Sequence, residues 1–200
     1  MQNYKNIIFA SHNKGKISEI REILSPLGIN VLSGEDLNLP DVEETGKTFE
    51  ENAYIKALAA AKEQNIPCFA DDSGLCVDAM GGRPGVYTAR YAPNRDFDKG
   101  MDKLLDELAE TKSGNRAAHF SCVIVLAYPD GRYKSFEGRV DGSIAAHKSG
   151  NAGFGYDPIF IPTGFNRSFA EFNSEEKNKI SHRGRALQKF VQYLSDECNK

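Results

Sequence analysis

Six consecutive polar and basic residues near the N-terminus have the composition of a phosphate-binding segment. They lie between an apolar, strand-like run and a helical pattern, and they are Ser11, His12, Asn13, Lys14, Gly15 and Lys16. A helix N-terminus offers backbone N–H groups and a partial positive charge to an anion, and the two lysines add full charges. A Walker A loop is excluded, since it requires glycine where Ala10 stands and serine or threonine where Ile17 stands. An ordinary polar connection between strand and helix is the alternative interpretation.

Two acidic segments carry carboxylates that a magnesium ion could use. One is Asp41-Val-Glu43-Glu44 in a polar loop, and the other is Asp71-Asp72 at the end of a predicted apolar strand. Mg²⁺ takes one or two carboxylates and completes its shell with water and phosphate oxygens. Because neighbouring strand side chains point to opposite faces, we expect different roles for Asp71 and Asp72. A solvated turn is the competing interpretation of Asp71-Asp72-Ser73-Gly74.

Two later segments have the composition expected of contacts to a flat, charged ligand. In Gly153-Phe154-Gly155-Tyr156-Asp157-Pro158, the glycines let the backbone approach such a ligand while an aromatic ring stacks on it. A place in the hydrophobic core is the alternative for its phenylalanine, and packing is the expected role of its tyrosine. Further along the chain, Lys177, His182 and Arg183 could donate to carbonyl or phosphate oxygens, unless they belong to a solvated helix face.

The elements that would position these segments alternate between strand and helix. Strand patterns cover residues 5–10, 29–32, 67–70, 119–128, 132–140 and 159–161, and helical patterns cover 17–24, 48–64, 98–111, a stretch from 174 and 183–194. Thr48-Phe-Glu-Glu51 has the form of a capping box, and Pro129-Asp130-Gly131 has that of a hairpin turn. The alternation predicts an α/β fold, and the hairpin makes its sheet mixed rather than all parallel.

Length and composition restrict the class of protein. The chain has 200 residues, of which 40% are hydrophobic and 26% are charged, and these values exclude collagen, coiled coil and full disorder. The net charge of −3 argues against a general nucleic-acid binder. No segment approaches the roughly 20 apolar residues of a membrane span, so we expect no membrane partner. A single domain over residues 1–200 is expected.

The cysteines predict the redox compartment. The four of them, Cys68, Cys76, Cys122 and Cys198, form no C-x-x-C pair. Together with the expected absence of a signal segment, they predict reduced thiols in a cytoplasmic protein rather than disulfides or zinc ligands.

In chain order, these segments resemble the inosine triphosphate pyrophosphatase family, the house-cleaning XTP/dITP hydrolases. The motifs that carry the resemblance are Ser11-x-Asn13-x-x-Lys16-x-x-Glu19; Glu43-Glu44-Thr45-Gly46 with Thr48-Phe49-x-Glu51-Asn52-Ala53; Ala70-Asp71-Asp72-Ser73-Gly74-Leu75; Gly81-Gly82-x-Pro84-Gly85-Val86-Tyr87-x-Ala89-Arg90-Tyr91; Phe154-Gly155-Tyr156-Asp157-Pro158; and Ser181-His182-Arg183-Gly184-x-Ala186-Leu187. Six motifs in family order, over nearly the whole chain, leave little room for chance. The Asp-Asp-Ser-Gly and Phe-Gly-Tyr-Asp motifs are similar to those of the bacterial branch.

The resemblance implies an elongated, two-lobed α/β fold around a mixed, twisted sheet, with the active-site cleft between the lobes, and a homodimer. It implies that residues 11–16 bind the triphosphate, that Glu43 and Asp72 hold Mg²⁺, and that Asp72 is also the proton acceptor. Whether Glu43 or Glu44 is the metal ligand stays open. It further implies substrate contacts by Ser73, Phe154, Gly155, Tyr156, Asp157, Lys177, His182 and Arg183.

The implied reaction converts ITP, dITP or XTP to the monophosphate and pyrophosphate, which keeps deaminated purines out of DNA and RNA. A sister pyrophosphatase with another base preference is one alternative, and a nucleotide sensor that does not hydrolyse is the other. The segments 154–157 and 181–183 argue against the first alternative. The carboxylates Glu43, Asp71 and Asp72 argue against the second.

Overall fold

The computed structural model describes residues 5–198, without the side chain of Cys198. Its strands are β1 (Asn6–Phe9), β2 (Asn30–Ser33), β3 (Cys68–Val77), β4 (Ala117–Ala127), β5 (Tyr133–Ile144) and β6 (Phe160–Pro162). Its α-helices are α1 (Lys14–Leu24), α2 (Phe49–Gln64), α3 (Phe97–Glu110), α4 (Ser174–Ile180) and α5 (His182–Cys198). Each strand and helix predicted from the sequence corresponds to one of these elements, and the largest difference is at the end of β3.

The six strands form one sheet in the order β2-β1-β3-β4-β5-β6. β1 pairs in parallel with β2 and with β3, whereas β5 pairs antiparallel with β6. The predicted turn at Pro129-Asp130-Gly131 joins β4 to β5, and there the Tyr128 N–H donates to the Arg132 carbonyl over 2.9 Å. The sheet is therefore mixed, and the predicted α/β class is confirmed.

β3 differs from the expectation that this strand ends at Ala70. It continues through Asp71, Asp72, Ser73 and Gly74 to Val77, so the strand end expected there is wrong, and the competing interpretation of a solvated turn is wrong as well. The two aspartates are 1% and 5% exposed. Their carboxylates have cationic and amide partners, and a paired, hydrogen-bonded charge can be buried where an unpaired one cannot. The chain therefore stays in the sheet at this point.

The chain divides into two compact units. Unit 1 comprises the described parts of Met1–Asp72 and Arg183–Lys200 together with Cys122–Gly138, and unit 2 comprises Ser73–Ser121 and Arg139–His182. The boundary cuts β3, β4 and β5, so each of these strands supplies residues to both units. The expectation of a single domain with two lobes stays a prediction.

In unit 1, α1 and α5 bury apolar side chains against the strands. Ile20 and Leu24 of α1 are fully buried, as the helical spacing predicts. The ring of Phe69 in β3 stacks on Phe9 and also contacts Phe190 of α5, each at 4.9 Å between ring centroids. These contacts hold α1 and α5 against the strands of unit 1.

α2 packs in unit 1 through alanines rather than through large side chains. Ala53, Ala57, Ala60 and Ala61 follow helical spacing and are almost fully buried. Side chains this small leave the helix backbone close to its neighbours, so polar residues near the start of α2 can reach β3.

Unit 2 has a core rich in aromatic rings. Phe120 of β4 packs edge-on against Phe160 at 4.8 Å, and Phe169 lies 5.2 Å from Phe160. The helical pattern of α3 predicts Met101, Leu104, Leu105 and Leu108 inward; Leu105 is partly buried against this cluster, and the other three are buried in it. This core supports the connection between β5 and β6, which carries the Gly153–Pro158 segment.

The remaining expectations concern thiols and membranes. Cys68, Cys76 and Cys122 are free thiols, as predicted, and the side chain of Cys198 lies outside the described residues. Within residues 5–198, no helix is long and apolar enough to cross a bilayer.

Candidate functional site

The N-terminus of α1 is organised by the polar residues that precede it. Asn13 is the N-cap, and its Oδ1 accepts the Lys16 N–H over 3.1 Å. The Ser11 hydroxyl accepts the Asn13 N–H over 3.2 Å. His12 Nε2 lies 2.9 Å from the Leu39 carbonyl oxygen. The first turn of a helix has backbone N–H groups without intrahelical partners, so this ordered segment has the local structure of an anion site.

The two lysines of this segment have different surroundings. The Lys14 side chain is 86% exposed, and its ammonium lies 3.9 Å from Glu35. The Lys16 side chain is only 13% exposed, and its ammonium donates to Asp71 Oδ1 over 3.1 Å. Lys16 therefore has a defined position at the start of α1, whereas Lys14 has a solvated one.

Asp71 is the centre of a buried charge network. Its Oδ2 accepts hydrogen bonds from Arg183 Nε and Nη2 at 3.2 and 3.1 Å, and the Cys122 thiol lies 3.6 Å from the same oxygen. Arg183 also donates through Nη1 to Glu19. Burial alone would raise the pKa of Asp71, but the charges of Lys16 and Arg183 outweigh it and hold the pKa well below its ordinary value. Asp71 is therefore a fixed anion.

Asp72 has its own set of partners. Its Oδ2 accepts from Asn52 Nδ2 over 3.0 Å, and its Oδ1 lies 4.0 Å from the Lys56 ammonium. Burial raises the pKa of Asp72, although the charges of Lys16 and Lys56 oppose that shift. The adjacent aspartates thus have different hydrogen-bond partners and opposite pKa shifts, as expected of neighbours on opposite strand faces.

The acidic loop reaches Asp72 through Lys56. The Lys56 ammonium donates to Glu44 Oε1 over 2.6 Å. Burial would lower the pKa of Lys56, but the carboxylates of Asp72 and Glu44 raise it, so the side chain stays cationic. The Glu43 side chain is exposed, and within the described part of the chain it makes no hydrogen bond or ion pair. Glu44 is therefore engaged, while Glu43 is available to a ligand.

In unit 2, Asp157 holds the Gly153–Pro158 segment together. Its Oδ2 accepts from the Lys177 ammonium over 2.5 Å and from the Phe154 N–H over 2.9 Å. The same ammonium lies 5.0 Å from the centroid of the Phe154 ring. Gly153 has φ +72°, and a Cβ there would lie 2.1 Å from Asp157 Oδ2, so only glycine fits.

The other residues of unit 2 that are predicted to contact the substrate differ in burial and packing. Phe154 is half-buried and lies outside the core cluster, whereas Tyr156 is 2% exposed and packs edge-on against Phe97, as its expected packing role requires. His182 is buried, with its ring stacked on Phe120 at 4.7 Å and 11°. Ser73 is half-buried on β3.

The structure brings the predicted residues together in two groups. Unit 1 collects Lys16, Asp72 and Arg183, and unit 2 collects Phe154, Asp157 and Lys177. The sequence assigned no role to three further polar residues of unit 1, Glu19, Asn52 and Lys56. Glu19 and Asn52 are positions of the quoted motifs. A further signal is helical spacing, since Glu19 follows Lys16 by three positions in α1 and Lys56 follows Asn52 by four in the alanine-rich α2.

Comparisons of the sequence identify relatives over nearly the full length of the chain. The model of the Ham1 family matches residues 7–193. The dITP/XTP pyrophosphatase of Mesorhizobium japonicum is 46% identical, over 96% of this chain and 94% of that protein. The dITP/XTP pyrophosphatase of Bacillus subtilis is 47% identical, over 95% of this chain and 97% of that protein. The resemblance predicted from the six motifs is therefore confirmed.

Solved structures agree with the sequence comparisons. The Ham1 protein of Staphylococcus aureus is similar with a TM-score of 0.84 and 43% identity, over 96% of this chain and 99% of that one. A HAM1 protein of Coxiella burnetii is similar with a TM-score of 0.88 and 41% identity, over 96% of this chain and 98% of that one. Fold and sequence thus point to the same set of relatives.

Proposed function

The chain belongs to the Ham1 family, and from this premise we propose that it is a nucleoside triphosphate pyrophosphatase that hydrolyses dITP, XTP and ITP. Relatives with 46% and 47% identity are named dITP/XTP pyrophosphatases. One observation of the structure supports the proposal most directly. The Lys16 ammonium, in the first turn of α1, lies 3.1 Å from Asp71 Oδ1, and the next residue, Asp72, lies on the opposite face of the strand. An anion-binding helix end beside carboxylates is what a metal-bound triphosphate requires.

The triphosphate is bound by residues 11–16. The capped N-terminus of α1 presents its backbone N–H groups, and Lys16 supplies a positive charge that Asp71 has already oriented. Such preorganised donors stabilise the negative charge that develops on phosphate oxygens in the transition state. Lys14 is too exposed to have a comparable effect, and its role is attraction of the anion.

The cofactor is Mg²⁺, with Glu43 and Asp72 as ligands. The chemistry of the donor set fits such an ion, because Asp72 and the exposed Glu43 both offer carboxylate oxygens. Mg²⁺ takes few carboxylates and completes its shell with phosphate oxygens and water. When bound, the ion neutralises charge on the phosphates and polarises the α-phosphate.

Asp72 orients the attacking water and accepts its proton. The water oxygen forms a bond to the α-phosphorus, the bond from that phosphorus to the bridging oxygen breaks, and pyrophosphate leaves. Burial raises the pKa of Asp72, which favours proton acceptance. Because a carboxylate that also binds a cation is a weaker base, orientation of the water is the larger part of its role.

The base is recognised by hydrogen-bond donors and by an aromatic ring. Phe154 stacks on the purine, and Ser73, Gly155, Tyr156, Asp157, Lys177, His182 and Arg183 complete the substrate contacts. Hypoxanthine and xanthine carry a 6-oxo acceptor where adenine carries a 6-amino donor. Adenine would therefore leave buried donors unpaired, and such a mismatch can discriminate by about 10⁴-fold.

A homodimer and a cytoplasmic location complete the proposal. The family resemblance supports the dimer. The free thiols at Cys68, Cys76 and Cys122 support a reducing compartment. Light scattering on the purified protein tests the first proposal, and fluorescence microscopy of a tagged protein tests the second.

The decisive test of function is a substrate panel with Mg²⁺ that scores pyrophosphate separately from orthophosphate. We expect monophosphate and pyrophosphate from ITP, dITP and XTP, at kcat/KM values far above those for ATP, GTP and dUTP. Preference for another nucleotide would indicate a sister pyrophosphatase. Orthophosphate as the direct product would contradict the cleavage position, and binding without turnover would indicate a sensor.

A further inference from the structure

Asn52 connects the acidic loop to Asp72. It lies in the second turn of α2 and is fully buried. Its Nδ2 donates to Asp72 Oδ2 over 3.0 Å, and its Oδ1 accepts the Gly46 N–H over 2.8 Å. The partners define the orientation of the amide, because the Gly46 N–H can only donate and the ionised carboxylate can only accept.

Gly46 is required for this connection. A Cβ at position 46 would lie 2.7 Å from Asn52 Oδ1 and 2.6 Å from Glu51 Cβ. Any other residue at position 46 would therefore push the loop backbone away from α2. The amide of Asn52 is thus one of the contacts that fix the position of the loop that carries Glu43 and Glu44, together with Lys56 and Glu51.

A capping box begins α2 just before Asn52. In the capping box, Thr48 Oγ1 accepts the Glu51 N–H over 3.1 Å, while Glu51 Oε2 accepts the N–H groups of Lys47 and Thr48 at 2.6 and 3.1 Å. Asn52 follows this box directly. An alanine at position 52 would be a better helix former, but it would leave the buried Asp72 oxygen without this donor and Gly46 without this acceptor.

We propose that Asn52 is a positioning residue for the metal-binding carboxylates. It orients the carboxylate of Asp72 through one end of its amide and helps to fix the position of the Glu43 loop through the other. The inference rests on the proposed function for the assignment of Glu43 and Asp72 as metal ligands. Groups that orient metal ligands typically change metal affinity or activity by about 10–100-fold when they are removed.

The test measures Mn²⁺ binding to the nucleotide-free protein by electron paramagnetic resonance, together with kcat and KM for ITP. For Asn52→Ala we expect about a tenfold rise in the Mn²⁺ Kd and a fall in kcat, with KM changed by less than about threefold. Gly46→Ala displaces the loop from Asn52 and should also raise the Mn²⁺ Kd. If Asn52→Ala does not fold, as judged from its melting curve, Gly46→Ala carries the test.

Thr48→Ala is the matched control. It weakens the same helix start through loss of the cap, without removing a partner of Asp72. We expect it to lower the melting temperature and to leave the Mn²⁺ Kd unchanged. An equal rise in Kd for Thr48→Ala would show that helix stability, rather than positioning, controls the site, and would overturn the inference.

Asp72→Asn separates the inference from the proposed function. If Asp72→Asn binds Mn²⁺ as the unmodified protein does, the metal assignment itself is wrong and the inference fails with it. If Asp72→Asn loses Mn²⁺ binding while Asn52→Ala and Gly46→Ala retain it, only the positioning role of Asn52 is wrong.

Discussion

The ammonium of Lys16 lies 3.1 Å from Oδ1 of Asp71, and this ion pair is almost completely withdrawn from solvent. Behind it, Arg183 pairs with Asp71 and with Glu19, so the four side chains alternate in charge and sum to zero. A buried charge is tolerated when its partners compensate it in this way. Lys16 is therefore oriented by protein groups before any nucleotide binds.

Replacing Lys16 tests whether this orientation has a catalytic purpose. We expect Lys16→Ala to lower kcat for ITP by about 100-fold or more, because one preorganised donor to a developing charge is worth that much. Lys14→Ala is the matched control, since it removes the same charge from the solvated position. Its effect should be confined to a rise in KM of a few fold, measured at low salt. Equal effects of the two variants on kcat would contradict the assignment.

Asp72 should control turnover rather than binding. We expect Asp72→Asn to reduce kcat by about 100-fold or more. The substitution removes a metal ligand and proton acceptor, while the new side chain has nearly the same size as the old one. The KM for ITP should change much less than kcat, because residues 11–16 still bind the phosphates. Steady-state kinetics at saturating Mg²⁺ measure both constants. A variant that keeps most of its kcat would rule out Asp72 as the proton acceptor.

The two neighbouring glutamates should differ in metal affinity. Glu43 is exposed, while Glu44 is engaged by Lys56. We therefore expect Glu43→Gln to raise the Mg²⁺ concentration needed for half-maximal activity by about tenfold and Glu44→Gln to raise it much less. The two variants change the same chemical group at adjacent positions, so each is the control for the other. The opposite ranking would assign the metal to Glu44.

Arg183 should affect both base selection and stability. We expect Arg183→Ala to narrow the ratio of kcat/KM between ITP and ATP by about tenfold, through loss of donors to the 6-oxo group. It should also destabilise the fold by about 3–5 kcal/mol, because Asp71 and Glu19 would keep buried charges without this partner. Kinetics at a temperature where the variant is folded separate the two effects. An unchanged ratio would place base selection in other residues.

Acid should destabilise unit 1 through Asp71. The pKa of this carboxyl in the folded protein lies below its ordinary value of 3.8, so the unfolded state binds the proton more readily. The contribution of ionised Asp71 to the free energy of unfolding is fully present above the ordinary pKa and is lost as the pH falls below about 4. Urea unfolding between about pH 7 and pH 3 should therefore show a steep loss of unfolding free energy.

Two variants test the source of this acid sensitivity. Asp71→Asn should begin less stable at neutral pH and then lose less unfolding free energy on acidification. Asp130→Asn removes an exposed carboxylate that pairs with Arg132, and it should retain the original pH dependence. If the unfolding free energy of Asp71→Asn depends on pH as that of the unmodified protein does, other carboxylates cause the acid sensitivity.

The sequence by itself determined the elements and the family. Alternating apolar patterns located the strands and helices, the capping box located the start of α2, and six motifs identified the relatives. These features are local, since each depends on residues a few positions apart in the chain.

Only the tertiary structure decided how the polar residues are paired. Asp71 and Asp72 read locally as a strand end or a turn, because no short-range pattern reveals that Arg183 and Lys16, or Asn52 and Lys56, will meet them. A carboxylate remains buried in a strand only when distant segments bring compensating charges and donors. The sheet and its helices supply those partners across sequence separations of 16 to 112 residues. The pairing makes Asp71 a fixed anion, whereas at Asp72 burial outweighs the partners and raises the pKa.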